Sequence, residues 1–207
     1  MRHSGTRGLY AHWHELFVSN GWRIPERRAI EPASLHEWLS DVFVLETDDH
    51  GELRYRLAGS RVCALFGSEL AGTGFSTGDD PAAFALRRRA ARLGTDRSVL
   101  VASETLHAAH GGSVEAETLL LPLLHEGAPN RRVLGARVVL ARAEWIGLVP
   151  VASVAVEGLR LVRPAEDRAL MNDRPVPLAA PAPHSGMRKV GHLAVLDGGK
   201  RPLVTQT

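Results

Sequence analysis

The chain has 207 residues, 44% of them hydrophobic, with 25 basic against 23 acidic side chains and a net charge of +2. That length suits one domain with a real core plus some excess chain, and so slight a positive balance does not imply nucleic acid. Cys63 stands alone, which excludes an intramolecular disulfide framework and a cysteine-clustered zinc site and points to reducing, cytoplasmic surroundings.

In chain order, the N-terminus is positive, but His12, His14 and Glu15 break the apolar stretch that follows, so it does not read as a signal peptide. No run approaches the roughly eighteen apolar residues needed to cross a bilayer. Leu9, Trp13, Leu16 and Phe17 recur at helical spacing and predict a first helix closed by Gly21. A face that large and aromatic must pack on the domain's own sheet or on a second subunit. A basic connector, 22–30, leads to a second helix opened by Glu31 and Pro32 and running through Trp38 and Leu39.

Val42 to Thr47 and Glu52 to Ala58 read as two strands joined at Asp48–Gly51, an antiparallel hairpin. Leu53, Tyr55 and Leu57 alternate with Arg54 and Arg56, then Gly59 stops the strand. Val62, Leu65 and Phe66 follow at helical spacing, in a helix expected from Ser60 to about Leu70. After a glycine-rich connection, Pro81 to Leu93 is predicted as a helix with Ala83, Leu86, Ala90 and Leu93 on one face. Three further strands are expected over Ser98–His107, Ser113–Leu124 and Arg131–Arg142. The sum is an α+β domain: a five-stranded antiparallel sheet with helices on one face. Residues 154–162 read as another strand or an amphipathic element. From Pro164 onward the prolines and scarce apolar bulk read as an extended, flexible tail.

Several residues and motifs carry a resemblance. They are the Trp13-centred helix, Pro25 with Arg27 and Arg28, Tyr55-Arg56-Leu57-Ala58-Gly59, and Cys63 to Leu70. Gly72, Phe75, Glu117 to Leu123 and Leu134-Gly135-Ala136 complete the set. Over roughly residues 9–142 the chain resembles a PAS sensor domain, in wording a bacterial, alphaproteobacterial-type variant, here without a recognisable output domain. The resemblance implies three parts: an N-terminal helix and connector (1–30), a PAS-like domain (31–142) and a C-terminal extension (143–207). It implies a non-catalytic signal-sensing or regulatory module that binds a small ligand between sheet and crossover helices and acts through protein contacts. The alternatives are an adaptor with a filled core, and nucleic-acid or anionic-nucleotide binding through the Arg87–Arg92 helix.

Tyr55, Cys63, Phe66 and Trp38 are the candidate ligand-lining residues. Each also has an ordinary reading as core, and a buried small hydrophobe is the usual fate of a lone cysteine. The sequence lacks the cysteine-centred flavin signature on the crossover helix, and no histidine falls between His50 and His107 to serve heme, so no cofactor is expected. No metal site is expected either: His107 and His110 lack an evident third ligand, and His12 and His14 diverge on their helix. No nucleophile, base and orienting group fall into a catalytic pattern. Leu9, Trp13, Leu16 and Phe17 are expected to form a homodimer interface, because helices flanking PAS-like domains commonly pair across a two-fold axis. A regulatory protein partner is expected, while nucleic acid and membrane are not.

Overall fold

The helical spacing of Leu9, Trp13 and Phe17 produces α1 (Ser4–Ser19), whose start is capped by the His3 side chain accepting from the Gly5 N–H. The computed structural model describes residues 1–48, 50–75, 81–126, 128–164, 187–190 and 193–196. The chain falls into two units, Met1–Arg168 and Ala169–Thr207. In the first unit, α1 is followed by 3₁₀ turns at Arg27–Ala29 and Pro32–Leu35, then β1 (Val42–Thr47) and β2 (Leu53–Ala58). Next come α2 (Ser60–Phe66), α3 (Pro81–Ala90), α4 (Leu93–Asp96), β3 (Val99–Ala108), β4 (Ser113–His125), β5 (Ala128–Val139) and β6 (Val151–Val162). In the second unit, β7 (Met187–Val190) and β8 (Leu193–Leu196) form an antiparallel hairpin. The flexible tail expected from Pro164 onward otherwise lies outside the described residues.

The large sheet corrects the expected five strands to six antiparallel strands, in the order β2-β1-β5-β4-β3-β6. The added strand, β6, pairs with β3 from Val99↔Val162 to Ala108↔Val151. Its buried residues, Val151, Val154, Val156 and Val162, do not keep a single period of two. The register shifts between Ser103 and Glu104, where Glu157 drops out of the pairing, and again between His107 and Ala108, where Ala152 does. Such bulges shift which residues face the core partway along the strand, so the strand is masked in the sequence.

The second helix expected through Trp38 and Leu39 is a 3₁₀ turn followed by successive i→i+3 bonds, with the Trp38 N–H donating to Leu35 O and the Asp41 N–H to Trp38 O. The Ser40 carbonyl is then free to accept from the Arg61 and Val62 N–H groups at the start of α2. Asp41 also accepts from the Arg61 guanidinium at 2.6 Å. Gly59 makes this junction fit. A Cβ there would lie 2.2 Å from the Leu39 carbonyl oxygen and 2.5 Å from that of Ser40. At its other end α2 stops at Gly67, whose φ of 64° is the left-handed conformation glycine adopts freely.

Helices α2, α3 and α4 cover one face of the sheet, burying Val62, Ala83, Leu86, Ala90 and Leu93 against Phe43, Leu45, Leu100, Ala102, Leu120 and Val133. Glu117 and Thr118 are neighbours on β4 and so point to opposite faces. Thr118 faces the α2–α4 side, whereas Glu117 accepts from the Arg2 and His3 N–H groups and the Thr6 hydroxyl at the start of α1. Accordingly α1 lies on the other face. The exposed edge of β2 is lined by residues 72–75, which exchange backbone bonds with Tyr55 and Leu53.

Replacing Gly59 by alanine should cost about 1–3 kcal/mol through forced displacement of the Leu39–Ser40 backbone. Gly74→Ala, where an added Cβ meets nothing within 4 Å, should stay within about 0.5 kcal/mol. Equilibrium urea unfolding of both variants checks the pair. Equal midpoints would show that the Gly59 junction yields easily.

Candidate functional site

Alternation along the strands places Leu100, Ala102 and Glu104 of β3, Thr118 and Leu120 of β4, and Val133, Gly135 and Arg137 of β5 on the helix-covered face. Thr118 stands directly opposite Arg137, and Ala102 opposite Thr118, which brings Glu104 diagonally onto the same spot. A carboxylate, a hydroxyl and a guanidinium thus converge in the interior.

Arg137 and Glu104 form a fully buried, two-pronged ion pair, with Arg137 Nε–H donating to Oε2 at 2.9 Å and Nη2–H to Oε1 at 3.1 Å. Arg137 Nε–H is shared with Thr118 Oγ1 at 3.0 Å, and Thr118 donates its own proton to Glu104 Oε2 at 2.6 Å. Arg137 Nη1–H reaches the Tyr55 hydroxyl at 3.3 Å. The guanidinium carbon lies 5.5 Å from the ring centres of both Phe66 and Phe75, within the range of cation–π attraction. Phe43, Tyr55 and Phe75 close the wall, with ring centres 5.4–5.8 Å apart. Gly135 permits this, since a Cβ there would sit 2.2 Å from the Phe43 ring.

The electrostatics follow from this packing. Burial works against the Arg137 charge, but Glu104 and Tyr55 together outweigh it and hold the guanidinium protonated. Burial pushes the Tyr55 hydroxyl up from its ordinary value of 10.0; Arg137 opposes the shift, and the Glu104 charge adds to it. The cluster is a charged, hydrogen-bonded group inside an aromatic shell. Nothing in it forms a nucleophile with a base.

Of the four candidate lining residues, three are on this side of the sheet. Tyr55 is buried and bonded to Arg137; Phe66 is half-buried over the guanidinium. Cys63 is half-buried on α2, its Sγ 3.8 Å from the Ala58 carbonyl and 3.6 Å from Glu69 Oε1. Trp38 is elsewhere: its ring lies against α1, so close that a Cβ on Gly8 would come within 2.6 Å of it. Of the four residues expected at a dimer interface, Leu9, Trp13 and Phe17 are buried within the chain, and Leu16 is half-buried. The Trp13 indole N–H donates to the Pro122 carbonyl at 2.9 Å, so their apolar surface is already spent against this chain's own sheet.

Glu104, Thr118 and Arg137 were not singled out from the sequence. A signal was present, since Glu104 shares its strand face with Leu100, Ala102 and Leu106. A carboxylate on a buried apolar face demands a buried cation. Among the described residues, no three His, Cys, Asp or Glu side chains gather to hold a metal ion, and no helix is long and apolar enough to cross a membrane.

An antiparallel sheet with crossover helices enclosing a polar centre is the architecture of a sensor-type α+β domain. Residues 1–138 match the family model of the PAS domain, and the chain belongs to that family. PAS domains are signalling modules and generally not catalysts, in agreement with the reading of the chain as a non-enzyme. No curated protein matches the chain. A solved structure described as "Flavin Analogue Sheds Light on Light-Oxygen-Voltage Domain Mechanism" is similar at 16% identity and a TM-score of 0.41, over 53% of this chain and 84% of that one. The expectation that no cofactor binds is withdrawn, because a missing flavin signature does not by itself rule flavin out. At this level of likeness the match assigns no flavin to this chain either.

Two outcomes test the cluster. Arg137→Met should cost about 3–5 kcal/mol by stranding the Glu104 carboxylate, while adding Glu104→Met should restore most of that loss, both read by urea unfolding. Because the folded state holds the Tyr55 proton more tightly than the unfolded chain, the stability that Tyr55 contributes should be level below pH 10 and fall as pH rises above it. The alkaline slope should be shallower in Tyr55→Phe; an unchanged slope would remove Tyr55 from the account.

Proposed function

We propose that the chain is a regulatory PAS module that senses at the Arg137 cluster and reports through protein contacts. The observation that carries this reading is the fully buried Arg137–Glu104 pair, with Thr118 and Tyr55, between the sheet and the crossover helices. Buried ion pairs are commonly no more stabilising than well-packed apolar residues of the same volume. Stability alone therefore gives little reason for charge at this position, and recognition does. Arg137 offers donors to a small molecule bearing a carboxylate or other acceptor, for which Glu104 is the internal stand-in. Phe66 and Phe75, whose ring centres lie 5.5 Å from the guanidinium carbon, would border such a group, together with the Tyr55 hydroxyl.

One observation favours a second reading. The rings of Phe43, Tyr55 and Phe75 pack against one another around the guanidinium, as in an adaptor whose interior is filled by its own side chains. The bacterial, alphaproteobacterial-type assignment belongs to this proposal too, resting on Tyr55–Gly59 and Cys63–Leu70. So does the homodimer, through Leu16, the one of its four expected interface residues that keeps part of its surface outside the chain's own packing.

Native mass spectrometry of the purified chain tests the proposal. The expected spectrum shows a dimer with a retained small molecule, and that mass diminishes in Tyr55→Phe. A bare polypeptide mass, together with no thermal shift from a panel of carboxylate-bearing metabolites, would move the function to the adaptor reading.

A further inference from the structure

The outward side of α3 carries what its inward side does not. Ala83, Leu86 and Ala90 of α3, and Leu93 at the start of α4, are all fully buried, so the helix's apolar stripe is occupied. Directly opposite stand Phe84 and Arg88, four residues apart on α3, and Arg92 follows in the turn past the helix end, where its N–H donates to Arg89 O. Phe84 is 59% exposed, an aromatic side chain on the same side of the helix as the exposed Arg88. Arg88, Arg89, Arg92 and Arg97 are all exposed, and none pairs with a carboxylate among the described residues.

The charge is concentrated here. Residues 81–98 carry five arginines against one aspartate, a net of +4; the whole chain is +2, so the rest of it is −2. An exposed aromatic side chain in an arginine-rich segment has the composition of an interface hot spot.

We infer that this side of α3 is a docking face for an acidic segment of another protein, one that sets an apolar side chain on Phe84 and carboxylates on Arg88 and Arg92. The inference deepens the reading of the chain as a module that acts through protein contacts and rests on it. Arginine suits carboxylates because its fork of N–H groups binds both oxygens at once. A membrane surface fits less well, since a membrane-lying helix needs its apolar stripe free, and here that stripe is the core. Nucleic acid also fits less well: one exposed ring makes no stacking platform, and the remainder of the chain is negative.

The test selects a displayed library of random twelve-residue peptides on the full chain, then measures binding of the enriched peptide by fluorescence anisotropy. Enriched peptides should carry two or more carboxylates around a leucine or aromatic residue. Binding should weaken at least about tenfold in Phe84→Ala and in Arg88→Glu, and fall with added salt. Arg88→Glu should regain affinity for the peptide in which the facing glutamate is replaced by lysine. Both substitutions lie on solvent-exposed positions, so an unchanged melting temperature is expected and separates lost binding from lost folding.

Peptides without carboxylates, or binding indifferent to both variants, would overturn the α3 assignment while leaving a protein-contact module intact. Enrichment of no peptide would overturn both. A duplex DNA of twenty base pairs, or phosphatidylserine vesicles, held more tightly than the selected peptide and released by Arg88→Glu, would assign the face to that class of partner instead.

Discussion

Arg137 is the residue on which the interior converges. Its guanidinium joins β5 to β3 through Glu104, to β4 through Thr118 and to β2 through Tyr55, and it lies between Phe66 of α2 and Phe75 beyond it. A charge so placed is tolerated only when its donors are matched, because an unpaired buried charge costs several kcal/mol. Each neighbour is therefore constrained by the others. Thr118 must keep its hydroxyl, Glu104 its charge and Gly135 its missing side chain, or the ring wall and the ion pair cannot coexist.

The sheet couples this interior to its other face through a single peptide step. Glu117 and Thr118 are consecutive on β4. Thr118 completes the Arg137 cluster, while Glu117, also buried, accepts from the first backbone N–H groups of the chain and from Thr6. A carboxylate at a helix N-terminus is favoured both by the unpaired N–H groups there and by the helix dipole. At the middle of α1, Trp13 fixes its depth through the Pro122 carbonyl, on the same strand. Strand β4 is thus gripped from both sides, and a displacement of Thr118 is carried to the anchor of α1 along a backbone with little freedom to absorb it.

The parts of the fold legible in the sequence were those with a clean period and clear punctuation. The β1–β2 hairpin, the stop at Gly59, the short helix after it, and the buried side of Ala83, Leu86 and Ala90 all follow from local pattern, whereas the helix expected to run to Leu93 ends at Ala90 and Leu93 opens α4. Strand β6 did not, because its two bulges scatter Val151, Val154, Val156 and Val162 across a pattern that is neither strand nor helix. Site legibility divided along the same line. Tyr55 and Phe66 border a strand–helix junction visible in one dimension. Arg137 and Glu104 are 33 residues apart and meet only through the register of β3, β4 and β5. Trp38 was misplaced for a related reason: a helix face with Leu35 and Leu39 does not reveal which side of the sheet receives it, and the gap over Gly5 and Gly8 did.

Arginine is used in two opposite ways in this chain, and the contrast separates interior from surface. Arg137 has its charge met by a carboxylate, a hydroxyl and a phenol, with two aromatic ring centres 5.5 Å away; it is anchored and shielded from salt. The arginines of the α3 region have water on one side and an exposed phenylalanine beside them, and their charge acts outward over about a Debye length. Yet the two are mechanically adjacent, since Leu86 and Ala90, on the inward side of the same helix, pack in the hydrophobic cluster that holds Tyr55 and Phe75. A rearrangement of the rings around Arg137 must be accommodated by that packing, and close-packed interiors have little void in which to lose it. The helix that presents Phe84 and Arg88 is the element positioned to carry it outward.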